Sequence, residues 1–385
     1  MVTTRRWLFG LSALLLAVPP AYGERLPFKS YTTADGLAHN TVIRIVRDSR
    51  GFLWFCTIDG LSRFDGTEFV TYRTADGLPD PWVTDLLTSR DGTYWVATNA
   101  GVARFDGARR IAPAGRRPAE APGQLFTPVP FEGLPIPHYV RVLLEDRDGR
   151  IWAGGRGGLF VLDRTSSAIS FRSAVPSPTA LVTSLVEDVD RGMWVGTLDG
   201  LFHRFASGDV VPEPTAARAG IRSVRAVALD GDGRLWVGHD GGLLVLGPGA
   251  ARRPAPTVPR QLRPCSTGSS RKRQLRLPSV SEDACTMTLD DGLIDLRVRA
   301  LAVGSDGRVR VGTVTGLSVI HGPQITSVTQ EQGLVQDAIN SVSEDPDGNV
   351  WIGTDTSGAA RIAAFGLVTA AAGLAGWFVP AIRES

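Results

Sequence analysis

The chain has 385 residues, 43% of them hydrophobic, and a formal net charge of +2 at pH 7. That is enough apolar residue for a large core, and the near-neutral balance gives no general electrostatic case for nucleic acid. The three cysteines, Cys56, Cys265 and Cys285, show no C-x-x-C spacing and so offer no zinc-binding pattern.

Residues 1–23 read as a signal peptide. Arg5 and Arg6 form a positive start, Trp7 to Val18 an apolar run, and Ala21-Tyr22-Gly23 a small-residue cleavage site before Glu24. The run is short for a membrane span, and an uncleaved anchor is the alternative. Export to the periplasm is the expectation. In that oxidising compartment Cys265 and Cys285 are able to pair. Cys56 lies in an apolar segment and reads as a small core filler.

From Phe28 onward one unit recurs. Phe28 to Tyr31 is a short strand, followed by the loop Asp35-Gly36-Leu37-Ala38-His39-Asn40. Thr41 to Val46 is a β-branched strand, turned back by Asp48 to Gly51. Phe52 to Thr57 carries Trp54, Asp59-Gly60 is a two-residue hairpin signal, and Leu61 to Phe64 and Phe69 to Tyr72 complete four strands. The unit returns around Trp95, Trp152, Trp194, Trp236 and Trp351, and in a copy where Arg310 stands in place of the tryptophan. Seven copies with a period of 40–50 residues indicate an all-β fold, a seven-bladed β-propeller of four-stranded antiparallel blades. The six tryptophans are expected to pack between blades. The Arg310 stem should pack in the same way, with its guanidinium on a carboxylate. Gly154, Gly196, Gly238 and Gly353, two residues after a tryptophan, are expected to admit a close neighbouring strand.

Spacing locates two insertions, at about 108–123 and 248–283, each between the third and fourth strands of its unit. The second is rich in Pro, Ser and Arg and reads as a disordered excursion. The propeller is expected to span 24–362. Residues 363–385 have two readings. The uncharged stretch Ile362 to Ile382 suits a membrane helix, whereas Gly373-Leu374 keeps the repeat register, which favours a truncated eighth repeat. Phe28–Tyr31 and Phe365–Thr369 both qualify as the strand that closes the ring.

The first unit carries a family resemblance. Asp35-Gly36-Leu37-Ala38-His39-Asn40, then Asp48 to Phe55, then Asp59-Gly60-Leu61-Ser62-Arg63-Phe64-Asp65-Gly66 resemble the two-component regulator propeller repeat, the periplasmic sensor region of hybrid histidine kinases. The resemblance implies an extracytoplasmic sensor or ligand-binding propeller of a two-component signalling system. Its ligand would be an extracellular small molecule or glycan fragment, and its protein partners a second copy or a kinase. The sequence shows no kinase motif. The alternatives are a propeller enzyme (a lyase or glycan hydrolase) and a protein-interaction scaffold.

Candidate chemistry is sparse. Asp146-Arg147-Asp148-Gly149 and Asp230-Gly231-Asp232-Gly233 look like shortened calcium loops, but the further donor and distal glutamate are missing. Turn chemistry accounts for them. No metal site, cofactor or catalytic residue is expected, and the chain reads as no enzyme. A ligand surface of loop residues is expected at His39, Asn40, Asp59, Trp82, His138, Tyr139, His239 and Asp240. Arg252, Arg253, Arg260, Arg263, Arg271, Lys272, Arg273 and Arg276 form a basic run, read as a solvated loop, with contact to anionic lipid or a partner as the sharper alternative.

Overall fold

The computed structural model describes residues 25–106, 125–133, 138–164, 169–174, 180–249, 262–267, 274–278 and 284–363. The signal segment, the first insertion and the proposed eighth repeat lie outside these residues. So does most of the basic run, of which Arg263 and Arg276 are described.

Seven antiparallel sheets form the blades. Their innermost strands are Val42–Arg47, Val83–Thr88, Val140–Glu145, Val182–Glu187, Ala226–Leu229, Val298–Val303 and Ile339–Glu344, for blades 1 to 7. Each blade covers both faces of its neighbours, which explains why second strands such as Leu53–Thr57 and Leu235–His239 are buried at every residue. Strict alternation is lost because no face of these strands meets water.

The six repeat tryptophans are each at most 2% exposed. Each ring packs into the following blade: Trp54 with Leu86 and Val96, Trp152 with Val182 and Leu185, Trp351 with Val42 and Ile45. The indole N–H is tethered as well. Trp54, Trp152, Trp236 and Trp351 donate to the recurring aspartate six residues earlier, Asp48, Asp146, Asp230 and Asp345, at 2.8–2.9 Å. The same carboxylate accepts backbone N–H groups of its own turn, as Asp48 does from Arg50 and Phe52. The aspartate thus folds the turn and fixes the tryptophan. In blade 4 the imidazole of His203 occupies this role, 3.1 Å from Asp188. Arg310 is 3% exposed and reaches Asp306 at 2.9 Å and Glu344 of blade 7 at 3.0 Å.

The ring is closed by the N-terminal strand Lys29–Tyr31. It pairs antiparallel with Ala359–Ile362 and becomes the outermost strand of blade 7. Blade 5 departs from the four-stranded pattern. Its insertion returns as Arg263–Pro264, a fifth strand parallel to the outer strand Ala284–Met287, and continues through the short pair Ser266–Thr267 and Gln274–Leu275. The reading of 248–283 as wholly disordered is corrected for these residues. They are held by a Cys265–Cys285 disulfide, by the Cys265 N–H donating to the Thr286 carbonyl, and by Arg234 donating to the Pro278 carbonyl. Cys56 is free and buried, and burial pushes its thiol pKa up.

Candidate functional site: a loop face and an arginine-lined channel

Chain direction alternates across a blade, so connections fall on two faces. The loops between blades and the hairpins between second and third strands share one, called here the loop face. All eight candidate ligand residues lie on it: His39, Asn40, Asp59, Trp82, His138, Tyr139, His239 and Asp240.

Several of them act locally. The loop motif Asp-Gly-Leu is a short 3-10 turn at Thr33–Asp35, Thr74–Asp76 and Leu289–Asp291. Its aspartate caps the turn, its glycine takes a left-handed conformation (φ +101° at Gly36), and its leucine is buried (Leu37 2% exposed). Asn40 Oδ1 then accepts from Thr33 N–H at 2.9 Å, as Asp337 does from Gln330 in the corresponding loop of blade 7. His39 Nδ1 accepts from Thr41 N–H at 2.8 Å, and Asp80 and Asp295 do the same in their own loops.

His239 stands where other blades carry a threonine. The hydroxyls of Thr57, Thr98, Thr197, Thr313 and Thr354 bond the hairpin carbonyl. His239 caps its hairpin instead by accepting from Gly241 N–H at 3.1 Å. It is 8% exposed, and burial lowers its pKa to about 4. His138 packs against Phe131 and Phe160, with ring centroids 5.5 and 5.3 Å away, and burial lowers its pKa too. The three histidines are each engaged with their own blade. Among the described residues, no group of histidine, cysteine and carboxylate side chains is arranged to hold a metal ion.

The groups left facing outward are Trp82, Tyr139, Asp59 and Asp240. Trp82 is 44% exposed, a high value for so large an apolar side chain. It and the half-buried Tyr139 immediately precede the inner strands of blades 2 and 3, at the rim of the axial channel. Asp59 is ion-paired to Arg73, and Asp240 lies 3.4 Å from Arg225.

Beneath this face runs a channel of about 290 Å3, lined by the inner strands of all seven blades. A recurring device aims its side chains. In six blades the ladder between first and second strands skips one residue: Ile43, Thr84, Arg141, Thr183, Arg299 or Asn340. Such a bulge re-aims the extra residue, and each of these lines the channel, as does Arg225 at the same register of blade 5. Thr84 and Thr183 send their hydroxyls across to Val140 and Val224 carbonyls of the next blade. Arg299 donates to Asn340 at 2.9 Å. Arg44, one position further along, meets Asp85 at 2.8 Å. Asp85 is buried, also accepts the N–H groups of Leu86 and Leu143, and has its pKa raised by desolvation. Sequence reasoning missed these channel residues. The available signal was a polar residue directly after the Val or Ile that opens each inner strand, arginine three times over.

With this geometry in hand, comparison with known proteins is informative. Residues 36–59, 133–157 and 333–356 match the two component regulator propeller family. Each matched segment covers the inner half of a blade, from the capped loop to the second hairpin. A 49-residue stretch is 47% identical to the histidine kinase P4 of Formosa agariphila, which is 13% of this chain and 4% of that protein. The extracellular domain of a hybrid two component system from B. thetaiotaomicron superposes with a TM-score of 0.66 at 19% identity, over 88% of this chain and 41% of that one. The chain is a β-propeller related to the extracellular sensor domains of hybrid two-component histidine kinases. It spans about two fifths of those structures and a small fraction of the curated relative. The expected export agrees with these matches, whose superposed parts are extracellular domains.

The fold is equally shared with enzymes. A virginiamycin B lyase from Staphylococcus aureus superposes with a TM-score of 0.58 at 14% identity, over 88% of this chain and 99% of the lyase. The expectation that the chain is no enzyme is therefore corrected: this architecture carries lyase activity in other proteins, and fold alone leaves catalysis open.

Proposed function

We propose that the chain is the extracytoplasmic sensing module of a two-component signalling system, and that it holds its ligand on the loop face at the channel rim. The observation that carries this reading is the exposure of Trp82, beside Tyr139, on the face that gathers every inter-blade loop. Aromatic faces of this kind offer apolar area with a polar edge, suited to a ring-shaped ligand such as a glycan fragment. Asp59 and Asp240 supply hydrogen-bond acceptors nearby. His39, Asn40 and His239 shape the loops that present these groups. Ligand binding would alter the packing of blades or of two protomers, and a kinase would read the change.

The test is a thermal-shift and calorimetric screen of residues 24–385 against defined oligosaccharides, with the recovered ligand checked by mass spectrometry. Saturable binding that weakens about tenfold in Trp82→Ala, with the ligand recovered unchanged, is the expected result. Binding untouched by both Trp82→Ala and Tyr139→Ala would remove the loop face. Cleavage of the ligand would move the reading to a lyase-type enzyme.

A further inference from the structure

We propose that the axial channel is itself a binding site for a small oxyanion-bearing molecule, one carrying a carboxylate, phosphate or sulfate group. The proposal rests on the reading above only for the side of entry.

Four guanidinium groups, Arg44, Arg141, Arg225 and Arg299, line a cavity of about 290 Å3, near the lower end of small-ligand pockets, about 300–1,000 Å3. The carboxylates do not balance them. Asp85, the carboxylate buried in the channel wall, is engaged by Arg44 and two backbone N–H groups. Asp240 and Asp355 are both 46% exposed, and they approach Arg225 and Arg299 no closer than 3.4 and 3.8 Å. Arg141 makes no hydrogen bond or ion pair among the described residues. A guanidinium turned into a cavity without a partner is a ready fork for an oxyanion.

Packing alone does not call for arginine here. The same bulged position holds Ile43, Thr84 and Thr183 in other blades, and the ring closes around them equally well. Arg141 stands on blade 3, whereas Arg225 and Arg299 stand on blades 5 and 6. The charges therefore come from both sides of the channel, as a molecule with oxyanions at two ends would require. The low-dielectric walls strengthen each contact relative to open water.

The proposal is tested by calorimetric titration of the exported chain at low ionic strength with sodium galacturonate, inorganic phosphate and neutral galactose. Wild type, Arg141→Gln and Trp82→Ala are compared. Binding of galacturonate, phosphate or both is expected at millimolar concentration or below, with no matching heat from galactose. It should weaken about tenfold in Arg141→Gln, the loss of one charge-assisted pair, weaken with added salt, and persist in Trp82→Ala. Because Arg141 has no structural partner, Arg141→Gln should unfold at the wild-type temperature. Binding of galacturonate alone identifies a sugar acid as the source of the anion; equal binding of phosphate identifies a free oxyanion. The idea falls if neither anion binds, or if anion binding survives Arg141→Gln unchanged. A ligand lost in Trp82→Ala but kept in Arg141→Gln would sink the channel and leave the loop-face reading standing.

Discussion

At the scale of single residues, the ring depends on how closely one blade can approach the next. Gly238, two residues after Trp236, has the Val298 side chain of blade 6 so near that an added methyl would sit 2.4 Å from it. Gly154 meets Val182 and Gly353 meets Val42 in the same way, at 2.5 and 2.7 Å. The valine in this joint opens the inner strand, and the bulged residue after it turns into the channel. Packing thus sets the position from which Arg141 and Arg299 point inward. The tryptophans and glycines were legible in sequence because they repeat in register. The channel arginines were not, since a bulge breaks the alternation by which the sides of a strand are read. His239 was legible as a loop residue but not as a stand-in for threonine. Its native pKa of about 4 lies below the unfolded value near 6.5. Between these values the unfolded chain binds the additional proton, so stability falls as pH drops from about 6.5 to 4, by about 3 kcal/mol at the limit. Urea unfolding across this range should show a shallower acid loss in His239→Asn, whose side-chain oxygen can still accept from Gly241. An unchanged slope would mean that His239 is protonated in the native state.

At the scale of elements, the capped loop and the aspartate turn carry information of different kinds. Asp-Gly-Leu looked like a ligand loop because it recurs; each of its residues is spent on a cap, a left-handed turn and a core plug. The turn aspartate looked like turn chemistry alone, yet it also binds the indole six residues on, a bond that spacing cannot reveal. Blade 5 shows a third case. The composition of its insertion signals disorder, but the two cysteines draw part of it back along the outer strand, where Arg263–Pro264 covers an edge otherwise open to pairing. The bridge spans 20 residues of sequence, and closing a loop of that length stabilises by about 3 kcal/mol. The double variant Cys265→Ser/Cys285→Ser should lose roughly that amount in urea unfolding. Its 262–278 segment should also become the first site of proteolysis. If neither changes, the insertion is held by its hydrogen bonds to Thr286 and Pro278 rather than by the disulfide.

At the scale of the whole molecule, closure joins residues more than three hundred positions apart. Whether Phe28–Tyr31 or Phe365–Thr369 took the last edge could not be read from either segment, because both have the apolar pattern of a fourth strand. The deciding contacts are distant in sequence. Ser30 pairs with Ala360, and Tyr31 stacks on Trp351 of blade 7 at 5.1 Å while meeting Phe64 and Phe69 of blade 1 at 5.2 and 5.9 Å. Tyr31 is therefore the side chain that seals the first blade to the last. Its truncation to alanine should cost about 3–5 kcal/mol, as for other buried aromatic residues. The Tyr31 hydroxyl is buried without a hydrogen-bond partner, so Tyr31→Phe removes an unsatisfied group and should be neutral or stabilising by about 1 kcal/mol. The pair separates closure from general core damage. In hydrogen exchange, Tyr31→Ala should first lose protection at Ala359–Ile362, the strand it pairs beside, while blades 3 and 4 stay protected. Uniform loss around the ring would show instead that the propeller opens only as a single unit, with no weakest joint at its seam.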